Sequence, residues 1–485
     1  MELHELVRRA RLEPLETIDE ADGHVEVIDI THDSRRIAPG AMFAAVPGTR
    51  FDGHDHAPDA VDRGASAVLV ERPLRLGVPD VVVGDVRRDM GRAAAAVWGY
   101  PADLMTTVGV TGTAGKTTTT HLVAGVLEAA GARPEVIGTI SGALTTPEST
   151  DLHRQLAEAR LQGRDAVAME VSSHALTLHR TEGVRFDVAV FTNLGVDHLD
   201  FHDDMEDYFR AKRLLFDTSR CAVGVVCVDD EWGRRLLDDT DPSLAPRRGY
   251  SLDEATALSM TAAGSTFTWR GHDVRVHLPG RFNVRNALAA LHVADVLELD
   301  LADAVAGIAD VEQVRGRFES VLVDGADIDV VVDYSHKPGA LEAMLAAARE
   351  VARGSVVVVF GAGGDRDKTK RPQMGAVATA AADRVIVTSD NPRSEDPQTI
   401  IDEIVAGCDP DASVTVEADR ARAIALAIAQ AAPGDLVVIA GKGHETTQKI
   451  GDRTLPFDDA EHGRRELRRR VALGQPSTTT EGDGA

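Results

Sequence analysis

The chain has 485 residues, of which 43% are hydrophobic and 27% are charged, proportions typical of a globular protein and not of a disordered one. This length is too great for one hydrophobic core and predicts roughly three domains. The formal net charge of −26 argues against nucleic acid as a partner, because phosphate backbones are bound by basic faces.

Membrane insertion is not expected, since no apolar run approaches the roughly 20 residues of a membrane span. The first residues also lack the apolar core of a signal peptide. We therefore expect a cytoplasmic protein, and we expect a monomer. Three cysteines, Cys221, Cys227 and Cys408, are an odd number without metal-site spacing, which fits a reducing compartment and buried apolar positions.

The first predicted domain spans residues 1–103. It begins with short strands around turns, followed by a helix over residues 57–64. The segments SAVLVE and VPDVVVGD predict buried strands, and a helix over residues 87–98 closes the domain. Two polar clusters, THDSR and GTRFDG, are compatible with simple turn chemistry, because Asp, Ser and Gly are common in turns.

The segment VGVTGTAGKTTTT predicts a cradle for phosphate groups between a strand and a helix. Gly112 and Gly115 allow backbone angles at which successive N–H groups point at one anion. The helix N-terminus adds partial positive charge, Lys116 can reach the outer phosphates, and the Thr117 hydroxyl can ligate Mg²⁺. Val110 stands where the general phosphate-loop pattern has glycine, so only the shorter form TGTAGKTT matches.

Strands and helices alternate through the second predicted domain, residues 104–315, as in a mostly parallel sheet with helices on both faces. Strands are predicted at 166–169, 188–191 and 223–227. Polar clusters follow each of them, at the edge where such sheets bind ligands. The segment STFTWRGHDVRVHL predicts a hairpin, and residues 283–299 predict an amphipathic helix.

The third predicted domain, residues 316–473, repeats the α/β alternation. Strands in IDVVVDY, SVVVVFG, RVIVTSD, SVTVEA and LVVIAGKG alternate with helices predicted at 338–351, 372–382, 398–406 and 421–431. Polar groups again follow the strand ends, which predicts a second binding edge. Residues 474–485 lack apolar content and predict a flexible tail.

Phosphoryl transfer requires Mg²⁺ and oxygen ligands near the cradle. Glu170 ends one predicted strand and can supply a carboxylate beside Thr117. Lys212, in YFRAKRLLF, could join such a site only as a carbamate formed with CO₂, because a metal ion would repel its ammonium. Spacing alone favours a helical lysine with a solvated head.

A set of motifs follows one another along the chain: TGTAGKTT, EVSSHAL, FTNLGVDHLDFH, the lysine of YFRAKRLLF, LPGRFNVRNALAAL, GRFE, DYSHKP, GGDRDKTKRP, DNPRSEDP and GKGHETTQ. In content and order these motifs resemble those of the Mur ligases, the ATP-dependent amide ligases of cell-wall precursor synthesis. The resemblance runs from Asp33 to Gln448. It implies an α/β protein of three domains: an N-terminal α/β uridine-nucleotide-binding domain, a central P-loop ATPase-like domain with a mostly parallel sheet, and a C-terminal Rossmann-like domain.

The resemblance also implies a reaction, the addition of meso-2,6-diaminopimelate to UDP-N-acetylmuramoyl-L-alanyl-D-glutamate with ATP and Mg²⁺. The D-glutamyl carboxylate would attack the γ-phosphate of ATP and become an acyl phosphate, and the diaminopimelate amine would then displace phosphate. The chemistry is consistent, since a carboxylate is a poor electrophile until its oxygen becomes a good leaving group. The charge that develops needs Mg²⁺ and Lys116 beside it.

Matching the motifs residue by residue implies a role for each of the following positions. Residues that would hold ATP are Gly112, Thr113, Ala114, Gly115, Lys116, Thr117, Thr118, Asn283, Arg317, Asp333 and His336. Residues that would surround Mg²⁺ are Thr117, Glu170, His198 and a carbamylated Lys212, and the catalytic set would be Lys116, Glu170, His198 and Lys212. Residues that would hold the UDP-linked dipeptide are His32, Ser34, Thr49, Arg50, Phe51, Thr145, Thr146, Ser172 and Arg180.

The choice of amino acid can be argued from charge. Diaminopimelate is lysine with a second amino acid head, so a selective site should present a guanidinium to the extra carboxylate, as Arg393 in DNPR would do. Loss of that pairing leaves a buried polar group unmatched, which discriminates against lysine. Glu445 would take an ammonium, and the remaining implied contacts are Arg366, Asp390, Asn391, Pro392 and Gly441.

Several alternatives stay open. A lysine-adding relative is disfavoured by Arg393, and a folylpolyglutamate-type ligase is disfavoured by the long first domain with its DSR motif. A nucleotide-gated binding or transport protein would hydrolyse ATP without ligating anything, and a cell-wall scaffold would not need Glu445. The chain departs from common family residues at Ala114, Leu178 and Val196, but none of these departures removes a group with a named chemical role.

Overall fold

The computed structural model describes residues 1–48, 51–142, 144–199 and 201–474. The chain divides into two compact units, one of residues 1–251 and 288–307, the other of residues 252–287 and the chain from 308 onward. Both are built on α/β sheets with mostly parallel strands, as the sequence predicts. Thr49, Arg50 and the predicted tail beyond residue 474 lie outside the described residues.

The first unit begins with a parallel sheet of order β1-β2-β3-β4. Both of its faces are covered, so its two central strands are continuously apolar. The Asp85 side chain accepts a hydrogen bond from the Arg88 amide and thereby starts α4. The elements are α1 (Leu3–Arg9), α2 (Glu20–Gly23), β1 (Asp29–Thr31), β2 (Ala41–Ala44), α3 (Ala57–Asp62), β3 (Ala67–Val70), β4 (Asp80–Val82) and α4 (Val86–Val97).

The larger sheet of the first unit has six parallel strands in the order β10-β9-β8-β5-β7-β6. Strand β5 lies between β8 and β7, so its carboxyl end opens near the middle of the ligand-binding edge. The elements are β5 (Thr106–Thr111), α5 (Lys116–Ala129), β6 (Pro134–Ile137), α6 (Ser149–Leu161), β7 (Ala166–Glu170), α7 (Ser173–Thr177), β8 (Phe186–Phe191), α8 (Met205–Arg213), β9 (Cys221–Cys227), α9 (Glu231–Asp238) and β10 (Arg247–Tyr250).

Ion pairs join the two sheets of the first unit. Arg154 on α6 lies 3.1 Å from the Asp29 carboxylate of β1, and Arg92 on α4 lies 3.0 Å from Glu182. Helices α4 and α6 pack directly against each other. The predicted first domain and the start of the predicted second domain therefore form one packed body.

The second unit contains a small antiparallel sheet, β11-β12-β13, and a six-stranded sheet of order β14-β15-β19-β16-β17-β18. Only β14 runs antiparallel in the larger sheet. A separate hairpin, β20–β21, precedes the last helix. The elements of this unit are β11 (Thr256–Thr261), β12 (Gly264–Trp269), β13 (His272–Val276), β14 (Glu319–Ser320), β15 (Asp329–Asp333), α12 (Pro338–Val351), β16 (Val356–Phe360), α13 (Lys370–Ala381), β17 (Arg384–Val387), α14 (Pro397–Val405), β18 (Val414–Val416), α15 (Arg420–Gln430), β19 (Leu436–Ala440), β20 (Thr447–Ile450), β21 (Arg453–Pro456) and α16 (Asp459–Gly474). Helices α10 (Arg281–Val296) and α11 (Leu301–Asp310) each contain residues of both units.

The structure corrects three details of the sequence reading. The predicted hairpin gains a third strand, β11, whose largely exposed residues give no burial pattern. Cys408 is only half-buried, whereas Cys221 and Cys227 are buried as predicted. Helix α16 was not predicted, because its long run of arginines masks its few buried apolar residues. No described helix combines the length and the apolar character needed to cross a bilayer.

Candidate functional site

The loop between β5 and α5 requires glycine at two positions. Gly112 has φ +152°, and a Cβ atom there would lie 1.9 Å from the Thr192 hydroxyl oxygen. Gly115 has φ +84° and forms the N-cap of α5. The backbone amides of this loop therefore lie at the N-terminus of α5, and at the two glycines no side chain blocks them. This is the geometry of a phosphate site.

The end of β8 braces this phosphate loop. The Thr192 hydroxyl donates to the Ala114 carbonyl at 2.6 Å, and the Asn193 side chain both donates to that carbonyl and accepts from the Ala114 amide, at 3.1 and 3.0 Å. The Thr113 amide donates to the Asn193 carbonyl at 3.0 Å. The polar cluster that follows the second predicted strand thus lies beside the cradle, as the sequence indicates.

Two lysine side chains converge on the phosphate loop. Lys116 Nζ donates to the Gly112 carbonyl at 2.8 Å, and Lys212 Nζ donates to the same carbonyl at 2.9 Å. Lys212 is 1% exposed and lies 4.6 Å above the Tyr208 ring, so the solvated head favoured by spacing alone is wrong. Burial, with a further contribution from Lys116, holds the pKa of the Lys212 amine well below its usual range.

Glu170, at the end of β7, lies beside the helix that follows the phosphate loop. Its Oε1 accepts hydrogen bonds from the Thr117 hydroxyl at 3.0 Å and from the Thr139 amide at 2.8 Å. The described part of the chain has no cluster of three or more His, Cys, Asp or Glu side chains arranged around a metal. One carboxylate with one hydroxyl suits Mg²⁺, which takes few protein ligands and relies on phosphates and water for the others.

His198 lies on the same side of the sheet, in the segment after β8. Its backbone is left-handed, with φ +55°, and its ring meets the His174 ring edge-on at 4.8 Å. Tyr208 links it to the phosphate loop, since that ring is 6.1 Å from His198 and its hydroxyl is 3.2 Å from the Thr113 hydroxyl. Glu170, His198 and Lys212 are thus all placed near the cradle.

A Ser–His–Asp chain also occurs here, although the sequence analysis did not single it out. His202 Nε2 lies 2.9 Å from the Ser173 hydroxyl, and its Nδ1 lies 2.8 Å from the Asp207 carboxylate. Ser173 and His202 are 1% and 2% exposed, so no substrate carbonyl can reach the serine. These three hydrogen-bonded side chains therefore connect α7 to α8 and do not form a hydrolytic triad.

The predicted peptide contacts gather on the other side of Glu170. The Thr146 hydroxyl donates to the Glu170 carbonyl at 2.9 Å and accepts from the Ser172 amide at 3.1 Å, while Thr145 contacts Thr139. Arg180 donates to the Thr146 carbonyl at 3.3 Å, and its Nε is buried with no hydrogen-bond partner among the described residues. These side chains therefore form one cluster beside the phosphate loop.

The predicted uridine contacts are only partly described. His32 Nδ1 lies 3.0 Å from the Thr150 hydroxyl at the start of α6. Ser34 begins a short 3₁₀ turn, which the Asp33 side chain caps, and the Phe51 ring is 75% exposed. His32 thus contacts the first turn of α6.

In the second unit, the predicted ATP contacts flank the end of β15. Asp333 accepts hydrogen bonds from the Phe318 amide and the Ser335 amide, both at 2.8 Å. Arg317 lies over the Tyr334 ring at 4.8 Å. His336 is tied to the Tyr334 carbonyl, and burial lowers its pKa. Asn283 is fully buried near the start of α10, where it donates to the Pro279 carbonyl.

The predicted amino acid contacts meet at the carboxyl ends of β17 and β19. Asn391 donates to the Glu445 carboxylate at 2.8 Å, and the buried Lys442 lies 3.1 Å from the same carboxylate. Gly441 has φ +114°, and a Cβ atom there would lie 2.7 Å from Asp390 Oδ2. Lys442 was not predicted as part of this group, because a lysine between glycines in GKGHE is expected to be exposed.

We call this group of predicted contacts the amino acid pocket, and Arg393 lies at its edge. Its Nη1 donates to the Gly364 carbonyl at 2.6 Å, and its backbone pairs with Ile450 of the hairpin β20–β21. Pro392 is buried next to it, whereas Arg366 is exposed on the neighbouring loop. The structure therefore brings all of the predicted amino acid contacts to one sheet edge.

Comparison with known proteins places these features in a family. Family models described as Mur ligase middle domain, Mur ligase glutamate ligase domain and Mur ligase family catalytic domain match residues 110–294, 316–443 and 26–99. The chain belongs to the Mur ligase family. The predicted family and the three-domain architecture are confirmed, while the exact domain boundaries stay a prediction.

Two curated relatives carry the name UDP-N-acetylmuramoyl-L-alanyl-D-glutamate–2,6-diaminopimelate ligase. The one from Streptomyces coelicolor is 44% identical over 90% of this chain and 92% of its own length, and the one from Gloeobacter violaceus is 41% identical over 98% and 99%. A solved structure of a ligase of that name aligns with TM-score 0.69 and 32% identity, over 97% of this chain and 99% of that one. A MurF ligase from Thermotoga maritima, solved in complex with ADP, shares the fold at 21% identity and TM-score 0.63.

Proposed function

We propose that the chain is an ATP-dependent ligase that joins meso-diaminopimelate to the D-glutamate of UDP-N-acetylmuramoyl-L-alanyl-D-glutamate, in peptidoglycan precursor synthesis. The observation that carries the proposal is the 44% identity with a ligase of that name across 90% of the chain. The phosphate loop of the first unit and the amino acid pocket of the second unit would supply the two kinds of binding site that such a reaction needs.

The first step would activate the dipeptide's terminal carboxylate. A carboxylate oxygen attacks the γ-phosphorus, the bond to the β-γ bridging oxygen breaks, and ADP leaves with that electron pair, so that an acyl phosphate remains. The loop amides and Lys116 would hold the phosphates and offset the charge that develops on them. Thr146, Ser172 and Arg180 support this step, because they cluster around the strand end that carries Glu170.

Thr117 and Glu170 would hold Mg²⁺, with His198 and Lys212 nearby. The bound ion would neutralise phosphate charge. Lys212 would contribute as a carbamate, because an ammonium adds positive charge where a cation is wanted, whereas a carbamate supplies an anionic oxygen. Its burial against the Gly112 carbonyl supports this role, since a lysine with only a structural function would extend its head to water.

The second step would form the amide bond. The uncharged amine of the incoming amino acid attacks the acyl carbon, phosphate leaves with the electron pair of the broken C–O bond, and the new nitrogen loses a proton. Arg393 would bind the carboxylate that diaminopimelate has and lysine lacks. Glu445 would bind the ammonium group of the same amino acid head. Asn391, whose side-chain nitrogen lies 2.8 Å from the Glu445 carboxylate, would contact that head as well.

One assay tests the proposal: ADP formation by the purified chain with ATP, MgCl₂ and the UDP-linked dipeptide, with diaminopimelate or lysine added in turn. We expect ADP release that requires the dipeptide and diaminopimelate together, and a product heavier than the dipeptide by one diaminopimelate residue. A preference for lysine would favour the lysine-adding alternative. Phosphate release that ignores both substrates would favour a nucleotide-gated binding protein. A cytoplasmic location and a monomeric state stay predictions.

A further inference from the structure

Two loops at the edge of the larger sheet of the second unit are joined to each other. The β16 loop comprises residues 363–366, and the β17 loop comprises residues 390–396. The Gly364 amide donates to the Asn391 carbonyl at 2.9 Å, and the Arg393 guanidinium donates to the Gly364 carbonyl at 2.6 Å. The orientation of the Arg393 side chain therefore depends on the position of the β16 loop.

Each of these loops contains a non-glycine residue in the left-handed region. Asp365 has φ +53° and Arg393 has φ +54°. Such a conformation is unfavourable for a residue with a Cβ atom. It persists only where surrounding contacts hold it in place. Contacts that stabilise both residues at once must therefore exist next to the pocket.

Glu395 supplies those contacts for the β16 loop. Its Oε1 accepts a hydrogen bond from the Asp365 amide at 2.6 Å. The same carboxylate accepts from both terminal nitrogens of Arg371, at 2.9 and 3.0 Å, in a paired geometry. Arg371 is completely buried and also donates to the Gly363 carbonyl at 3.3 Å. A single buried guanidinium thus connects the backbone of one loop to the carboxylate of the other.

Asp365 completes the connection in the opposite direction. Its carboxylate accepts hydrogen bonds from the Ser394 hydroxyl at 2.6 Å and from the Ser394 amide at 3.2 Å. Ser394 follows Arg393 directly in the chain. The Arg393 guanidinium contacts Gly364, and the residue that follows each partner is held by an acidic side chain of the other loop. Glu395 holds Asp365, and Asp365 holds Ser394.

We propose that Glu395 is a positioning residue for amino acid selection: paired with Arg371, it holds the β16 loop so that the Arg393 guanidinium is already directed at the second carboxylate of the incoming amino acid. The inference rests on the proposed function, because it assumes a substrate with that carboxylate. An arginine that is free to rotate loses rotamer entropy when it binds a carboxylate. A side chain held in place by the neighbouring loop has lost much of that freedom beforehand, so binding gains affinity.

A similar ion pair at the opposite edge of the same sheet serves as the control. Arg470 on α16 pairs with Asp327 at 2.7 Å and donates to the carbonyls of Ile428 and Ala431, both at 2.8 Å. Asp327 precedes β15, and Ala431 precedes β19, so this pair lies at the amino ends of the strands. It has the same chemistry of guanidinium, carboxylate and backbone carbonyls, but it is remote from the pocket.

The test compares Glu395→Gln with Asp327→Asn in the full-length chain. For Glu395→Gln we expect the KM for diaminopimelate to rise about tenfold, because a misplaced contact weakens binding of the group that it should meet. The KM values for ATP and for the UDP-linked dipeptide should stay within about twofold of wild type, and the preference for diaminopimelate over lysine should fall. Asp327→Asn should leave all four quantities unchanged, even where it lowers the melting temperature.

Two milder variants keep the test informative if Glu395→Gln folds poorly. Asp365→Asn removes the charge while asparagine still tolerates the left-handed backbone, and Ser394→Ala removes one exposed hydroxyl. Both should shift the KM for diaminopimelate in the same direction by a smaller factor. A selective change in this KM, with the other constants preserved, is not what general loss of structure produces.

The inference is overturned if Glu395→Gln and Asp365→Asn both fold and keep wild-type KM values for diaminopimelate. It is also overturned if all KM values rise together, since Glu395 would then act on overall structure. Failure of the proposed function looks different: the wild-type chain would not use diaminopimelate at all, and this is measured before any variant is made.

Discussion

The two predicted binding regions of this protein are formed by different chemical groups. The phosphate loop of the first unit consists of backbone amides, two glycines and a pair of lysines whose amines share one carbonyl. The amino acid pocket of the second unit consists of charged side chains that fix one another, such as Glu445 with Lys442. Under the proposed function, the first region would recognise an anion common to all nucleotides, and the second would distinguish amino acids that differ by one carboxylate.

This contrast indicates how each region should respond to substitution. A site formed by tightly packed backbone has no room for an added side-chain atom, so such an atom displaces the whole loop. A site made of paired side chains tolerates added volume better, but it loses selectivity when one partner is removed. Substitutions in the first region should therefore affect turnover with every substrate, whereas substitutions in the second should affect the amino acid alone.

The largest effect should follow Lys212→Ala, the variant that tests whether the first region needs a modified side chain. We expect turnover to fall about 10³-fold, as when an enzyme loses a group that stabilises transition-state charge. Added short carboxylic acids should restore part of the activity by taking the place of the carbamate. Mass spectrometry of the wild-type chain in bicarbonate, against a Lys212→Ala sample, checks the modification directly. Normal turnover by Lys212→Ala would show that the carbamate is not required.

A second, smaller effect is expected for Gly112→Ala, which tests the limited space in the phosphate loop. A Cβ atom at this position would meet the Thr192 hydroxyl at 1.9 Å, so the loop must shift. We expect about 10²-fold lower turnover and a comparable loss of affinity for a fluorescent ATP analogue, as small displacements of a positioned group produce.

Gly131→Ala is the matched control for this prediction. Gly131 also has a positive φ, +88°, but a Cβ atom there would have no neighbour within 4 Å. That variant should lose only the backbone preference, about 1 kcal/mol of unfolding free energy in a urea titration, with nucleotide affinity unchanged. Equal losses of affinity in both variants would mean that backbone strain, and not space, limits the loop.

The smallest of the three effects should follow Arg393→Ala, and it should be the most selective. We expect the KM for diaminopimelate to rise about thirtyfold, from the loss of a charge-assisted hydrogen bond, while nucleotide affinity stays unchanged. Arg393→Lys should give an intermediate rise, since an ammonium keeps the charge but loses the paired geometry. If the apparent affinity for diaminopimelate does not change in Arg393→Ala, the carboxylate is recognised elsewhere.

Much of the fold could be predicted because its central strands are buried on both faces. Runs such as VVVV before Phe360 predict a strand that is buried on both faces. Helix α12 was predicted with the bounds that the structure shows. Strand β11 and the hairpin β20–β21 escaped prediction, because their exposed residues give neither an apolar run nor clean alternation.

The candidate site divides in the same way. Residues in motifs, such as Glu170 and Arg393, could be predicted as site residues from their type and their order along the chain. Their partners were not, because a hydrogen bond like that of Lys212 to Gly112 joins positions 100 residues apart and leaves no local pattern. Glu395 and Arg371 were overlooked for a similar reason, since charged residues in loops are usually solvated.

Helix α16 has a practical consequence for anyone who shortens or tags this chain. Its first residue, Asp459, forms a fully buried pair with Arg420, whose guanidinium also donates to the carbonyls of Ser389 and Ala440. Those carbonyls immediately precede Asp390 and Gly441 at the pocket. A truncation upstream of Asp459 would leave a charge stranded in the protein interior, so fusion partners belong after the last turn of this helix and crystallisation fragments should retain it whole.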